Sequence, residues 1–158
     1  MPRRGAAKIR KVELDPIYKN RLVTKLINRA MKEGKKSVIQ KEVYEAFELL
    51  KKDGGDPIKI FSQAMENVKP GMEVRPRRIG GAAYQVPMQV RGSRKESLAI
   101  RWIIAATRAR SNSEYKTFSL KLAAELADAA KGEGGAYKKK TDMEKVAEAN
   151  RAFAHFKW

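Results

Sequence analysis

Apolar residues recur at helical spacing over most of the chain, and that spacing changes once. Leu22, Val23, Leu26, Ile27, Ala30 and Met31 fall on one face of a helix that follows a turn or helix start at Asp15-Pro16, with a stop predicted at Gly34. Ile39, Val43, Ala46, Phe47 and Leu50 form the stripe of a second helix, from about 36 to 52, which Gly54-Gly55 ends. Asp56 and Pro57 pair an N-cap with a proline at the first helical position, and Ile58, Phe61, Ala64, Met65 and Val68 carry a third helix to Pro70-Gly71. A fourth, nearly all apolar around Leu98, Ile100, Trp102, Ile103 and Ile104, starts at the capping box Ser93-x-x-Glu96 and runs to about Arg110. It is expected at the centre of the fold. An alanine-rich fifth helix, about 117 to 131, is separated by a glycine-rich break at 132–135 from Lys138, Lys139, Lys140 and a sixth. Thr141-x-x-Glu144 reads as a capping box there, with an earlier start left open.

Between the third and fourth helices the period falls to two. Val74, then Tyr84, Val86, Met88 and Val90 recur at alternate positions, read as one strand face, and Gly80-Gly81 supplies the positive φ angles of a tight turn. Pro76 and Pro87 cannot donate ladder hydrogen bonds, which points to a two-stranded ribbon with free edges. Such a ribbon is marginal alone and needs anchoring by its domain or a partner. The prediction is a mainly α, single-domain bundle of about six helices (15–158), with a protruding two-stranded β-hairpin arm (72–91) and a flexible basic N-terminal arm (1–14).

Charge changes this picture from a scaffold to a binder. The 158 residues carry 35 Lys and Arg against 18 Asp and Glu, a net charge of +17. Self-repulsion of that size calls for a polyanion. The longest apolar run, 102–106, is too short to span a bilayer, and the basic start has no apolar segment behind it, so neither a membrane nor a signal peptide is indicated. With no cysteine there is no disulfide, thiolate zinc site or cysteine nucleophile, and a cytosolic location is expected. His155 has no second ligand at metal-binding spacing. Gly34-Lys35 lacks the earlier glycine of a nucleotide-binding loop, and no acid, base and nucleophile come together. A non-enzyme without cofactor or metal is expected.

The basic residues fall into groups. Arg3, Arg4, Lys8, Arg10 and Lys11 occupy the N-terminal arm without an acid. Arg21, Lys25, Asn28 and Lys32 form the polar face of the first helix, for which, taken alone, a solvated lysine face is the better reading. Lys35 and Lys36 sit in a short interhelical loop that could offer backbone donors and two ammonium groups to one phosphate. Arg75, Arg77, Arg78, Arg91 and Arg94, against the single acid Glu73, make the hairpin basic. Arg94, Arg101 and Arg108 line one edge of the fourth helix at seven-residue spacing, and Lys116 adds a cation in the loop before the fifth. Glu42, Glu45 and Glu48 lie on scaffold helices. No helix has the exposed basic and amide-rich face of a duplex-DNA reader, and no carboxylate cluster suits a metal-dependent nuclease.

Four stretches carry a resemblance: Asp15-Pro16-Ile17-Tyr18 running into Lys25-Leu26-Ile27-Asn28 and Gly34-Lys35-Lys36; the arm VRPRRIGGAAYQVP; the helix RWIIAATRAR; and the end AEANRAFAHFKW. In this order and spacing the chain closely resembles the bacterial form of the universal small-subunit ribosomal protein seven, over nearly its whole length. The resemblance implies a monomer when free and a primary binder of small-subunit ribosomal RNA that nucleates assembly of the head. It further implies a place at the subunit interface near the decoding centre, contacts to ribosomal proteins nine and eleven, and an arm near exit-site transfer RNA and messenger RNA. On this reading Arg78, Gly80, Gly81 and Tyr84 at the tip, with Lys139 and Lys140 of the last helix, lie near the transfer RNA and message. Ribosomal RNA is faced by Arg78 as well, together with Lys25, Lys35, Lys36, the other hairpin arginines, Arg101, Arg108, Lys116 and the five cations of the N-terminal arm.

Overall fold

The hydrophobic stripes close on one another as six α-helices: α1 (Arg21–Ala30), α2 (Lys36–Lys52), α3 (Pro57–Val68), α4 (Gly92–Ala109), α5 (Phe118–Lys131) and α6 (Gly134–Ala149). Strands β1 (Met72–Ile79) and β2 (Ala82–Gln89) lie between α3 and α4, and a terminal 3-10 turn spans Arg151–Phe156. This computed structural model describes Gly5 and residues 10–52 and 54–156; Arg3, Arg4, Lys8 and Trp158 lie outside the described residues. Val23, Leu26, Phe47, Phe61, Ile103, Leu122 and Leu126 have essentially no exposed surface. Phe47 stands at the middle of an aromatic chain, edge-on to Tyr18 at 5.0 Å and tilted against Phe61 at 5.7 Å. α4 meets α1, α3, α5 and α6, and α5 meets α2, α3, α4 and α6, so the centre predicted for α4 is shared with α5. The small side chains of α5 allow that approach: Ala129 is fully buried and Ala123 nearly so.

The helix ends depart from local signals where distant residues intervene. α1 stops at Ala30, four residues before Gly34, because Met31 turns extended (ψ 136°) and the Arg108 guanidinium, from α4, donates to the Ala30 carbonyl at 2.7 Å. Ser93-x-x-Glu96 is not a capping box. The helix begins two residues earlier, at Gly92, Arg91 takes the N-cap position without a side-chain bond, and Glu96 pairs instead with Lys25 at 2.5 Å. Thr141 lies inside α6 and donates to the Tyr137 carbonyl, while Glu144 accepts from the Gly71 amide at 3.1 Å. The glycine-rich break is only two residues long. Gly132 caps α5 in the left-handed conformation (φ 82°), but Gly134 and Gly135 open α6, where a Cβ on Gly135 would stand 3.1 Å from the Ala106 side chain.

The hairpin has one register, with Ile79 opposite Ala82 and Met72 opposite Gln89, about Gly80 (φ 56°) and Gly81 (φ 90°). Two positive φ angles are what a two-residue I′ turn requires. This register corrects the single apolar face. Val74 pairs with Pro87, and Tyr84 with Arg77, so Val74 lies on the face opposite Tyr84, Val86 and Met88. Each face has its own cover. Val74, Pro76 and Gln85 border a hollow of about 320 Å³ against Lys139, Asp142 and Met143 of α6, while Tyr84 packs on Phe153 and Phe156 at 5.2 and 5.5 Å. Clasping on two sides supplies the stability that two strands lack.

Buried charges tie the end of α4 to α5 and α6. Glu125, 1% exposed, accepts from Arg110 Nε at 2.8 Å and from the Ala136 amide at 2.8 Å. Asp128 also takes the Arg110 guanidinium, and Lys121 Nζ donates to the Arg110 carbonyl and to Asn112 at 2.6 Å each. Burial alone would lower the Arg110 pKa, yet Asp128 and Glu125 together raise it. No buried side-chain polar atom among the described residues lacks a partner.

Candidate nucleic-acid interface

The base of the arm is built around an acid. Glu73 is 5% exposed, and its Oε1 accepts from Arg75 Nε and Nη2, both at 2.7 Å, while its Oε2 accepts from Arg94 Nε at 2.6 Å. β1 provides Glu73 and Arg75, and the first turn of α4 provides Arg94, so the carboxylate joins strand to helix. Burial pushes the Glu73 carboxyl up, but hydrogen bonds and charge from Arg94 and Arg75 outweigh it and hold the group below its ordinary value. The two arginine side chains remain 48% and 46% exposed. They present guanidinium edges to solvent from a fixed root.

From Arg94 the basic edge continues down α4. Arg101 and Arg108 follow at two-turn intervals, about 21 Å end to end at helical rise. The structure adds Arg29, which the sequence reading did not nominate: with Arg101 and Arg108 it borders a shallow hollow of about 180 Å³ floored by Ile104 and Ala105. The only signal for it was position, in the last turn of α1 among other polar residues. Arg108 also borders a second hollow, with Lys32 and Lys35 of the α1–α2 loop. One track of cations therefore runs from the arm base to that loop. Inside the loop, the Lys35 amide donates to the Lys32 carbonyl and the Lys36 amide to the Gly34 carbonyl. Those two backbone donors are used locally, so the loop offers ammonium groups instead. Lys35 also reaches Glu33 at 2.8 Å, in a pair that is mostly exposed.

The remaining nominated residues are placed unevenly. Arg10, Lys11, Lys36, Arg91 and Lys116 are exposed, and Arg78, Gly80 and Gly81 are exposed at the tip. Arg77 and Tyr84 are half-buried across the ladder from each other. Lys25 is drawn to Glu96 and about one-third exposed. Lys139 borders the hollow beneath the arm, and Lys140 lies over the Tyr137 ring at 5.3 Å. Among the described residues no group of three or more His, Asp or Glu is placed to hold a metal ion, and no helix is long and apolar enough to cross a membrane.

A packed helical platform with a track of anchored guanidinium groups on one edge, and a clasped ribbon at its head, is the architecture of a protein that binds a nucleic-acid backbone. The sequence profile of the family described as "Ribosomal protein S7p/S5e" matches residues 2–151. The chain is 55% identical over 159 aligned residues to the small ribosomal subunit protein uS7 of Carboxydothermus hydrogenoformans, and 54% identical to those of Moorella thermoacetica and Thermodesulfovibrio yellowstonii, with 100% of each chain covered. The chain belongs to the ribosomal protein S7p/S5e family. It is a structural, rRNA-binding constituent of the small ribosomal subunit and not an enzyme.

Proposed function

We propose that the chain is a primary binder of small-subunit ribosomal RNA that nucleates assembly of the head and lies at the subunit interface near the decoding centre. Its arm reaches exit-site transfer RNA and messenger RNA, and ribosomal proteins nine and eleven are its neighbours. The observation that carries this reading is the continuous basic track from Arg75 and Arg94, through Arg29, Arg101 and Arg108, to Lys32 and Lys35. Phosphates meet the track, and a folded RNA junction that matches its shape supplies specificity. Arg10 and Lys11 of the N-terminal arm, with Lys36, Arg91 and Lys116, extend the cationic surface around it. At the far end of the ribbon, Gly80 and Gly81 carry no side chain and Ala82 and Ala83 only small ones, so the tip suits close approach to a second ligand.

Chemical footprinting of small-subunit ribosomal RNA, with and without the protein, tests the reading directly. A compact protected region around one multi-helix junction is expected. Diffuse protection would show a non-specific polycation. The binding constant should also fall steeply with salt: with about six to ten phosphate contacts, roughly a thousandfold or more is lost between about 50 and 200 mM on the duplex-DNA scale, and somewhat less on RNA.

A further inference from the structure

We infer that Glu73 is a positioning residue for RNA binding: the buried carboxylate holds Arg75 and Arg94 as a rigid pair, so that removing this negative charge weakens binding to a polyanion. The inference rests on the reading that the arm base meets RNA. By charge alone Glu73 is an obstacle, the one acid in a stretch with five arginines, and bulk electrostatics predicts tighter RNA binding without it. The geometry gives the opposite sign. Glu73 is almost fully enclosed, and both its oxygens are occupied by guanidinium groups whose outer edges stay open. Arg75 gives Nε and Nη2 to the carboxylate and Arg94 gives Nε, so each planar fork is fixed in orientation with further N–H groups left for a phosphate. A free arginine side chain must be immobilised at the moment of binding, and Glu73 meets that entropy cost during folding. From β1 it also reaches Arg94 on α4, 21 positions away, so the spacing between the two forks is set by the packed base of the arm.

The test is Glu73→Gln, measured against a transcript of the small-subunit ribosomal RNA by filter binding at fixed salt. The amide keeps the volume but loses the charge that aligns two guanidinium groups. Affinity should fall roughly five- to one hundredfold, the cost of immobilising two long side chains on binding. An unchanged or higher affinity overturns the inference. In an Arg75→Ala, Arg94→Ala background the same Glu73→Gln change should not weaken binding, because nothing remains to be positioned; a further loss there would assign Glu73 a purely structural role and overturn the inference. Arg75→Ala and Arg94→Ala on their own report on the underlying reading: if neither weakens binding, the arm base does not meet this RNA. Should circular dichroism show Glu73→Gln unfolded at the binding temperature, Glu73→Asp takes its place. Its shorter stem keeps the charge but cannot span both arginines, and the same fall in affinity is expected.

Discussion

The rings of Tyr84 and Phe153 lie 5.2 Å apart and tilted by 54°, joining the outer part of the arm to the terminal 3-10 turn. Phe156 completes the cluster, stacked on Phe153 with their ring planes 12° apart. Aromatic pairs of this kind contribute about 0.5 to 1.5 kcal/mol beyond the area they bury. Phe153→Ala should therefore raise amide exchange in the arm by roughly two- to tenfold, while the platform melts within about 2 °C of the parent. Hydrogen exchange read by mass spectrometry, beside a thermal melt, checks both. Equal protection in the two proteins would mean that α6 holds the arm without help.

Trp102 is 8% exposed on the buried side of α4, among core residues. Trp102→Ala should cost about 3 to 5 kcal/mol, the usual range for truncating a large buried aromatic. That corresponds to a fall in melting temperature of roughly 6 to 20 °C for a domain of this size. RNA affinity, measured where the variant is still folded, should hold. Loss of affinity at unchanged stability would instead place the indole on a base.

Asp15, 2% exposed, accepts from the Tyr18 amide at 3.0 Å and from the Tyr44 hydroxyl at 2.8 Å. Tyr44→Phe leaves one buried carboxylate oxygen without that donor and should destabilise by about 1 to 3 kcal/mol. Burial, and after it the Asp15 carboxylate, push the Tyr44 phenol above 10.0 against the opposing donation from Gln40. A raised folded pKa means that the hydroxyl's contribution is complete below the ordinary tyrosine value and fades as pH rises through the folded one. The stability gap between parent and variant should thus stay constant up to about pH 9 and narrow from about pH 10 upward, as urea unfolding would show. A constant gap would remove Tyr44 ionisation from the account.

Shortening the arm separates its two proposed tasks. Removing Arg78, Ile79, Ala82 and Ala83 deletes two ladder pairs, keeps Gly80-Gly81 as the turn and leaves Tyr84 opposite Arg77. Because whole pairs go, the facing of every remaining side chain is preserved. Affinity for ribosomal RNA should change by less than about threefold, the worth of one exposed cation, while ribosomes carrying the variant assemble but hold exit-site transfer RNA less well. Gradient sedimentation and transfer-RNA occupancy on the same particles decide it. Failed assembly would put the tip in the primary RNA site.

What could be read from sequence was whatever local chemistry determines. The two glycines between alternating residues gave the hairpin, and Asp56-Pro57 gave the start of α3, because each signal acts within a few residues. The errors share a cause. Glu96 looked like a cap because its partner Lys25 is 71 positions away, and the end of α1 at Ala30 was hidden because the donor to that carbonyl, Arg108, lies on another helix. Val74 was put on the wrong face for a related reason: alternation fixes facing within a strand, whereas facing across a hairpin depends on turn length. Apart from Arg29, the arginines of the candidate interface were nominated from charge and period. The function inferred for Glu73 was not, since a charge count records an acid among arginines only as a subtraction.

Only Val90 and Arg91 separate the end of β2 from the start of α4, and Val90 is itself part of the core. The ribbon is thus a lever with its pivot inside the protein. Eight residues of strand reach about 27 Å, so a tilt of one degree at Val90 moves the tip by about half an ångström. Conversely, a push on Gly80-Gly81 is shared between the α6 and terminal-turn contacts that clasp the ribbon and the helix that packs against α1, α3, α5 and α6.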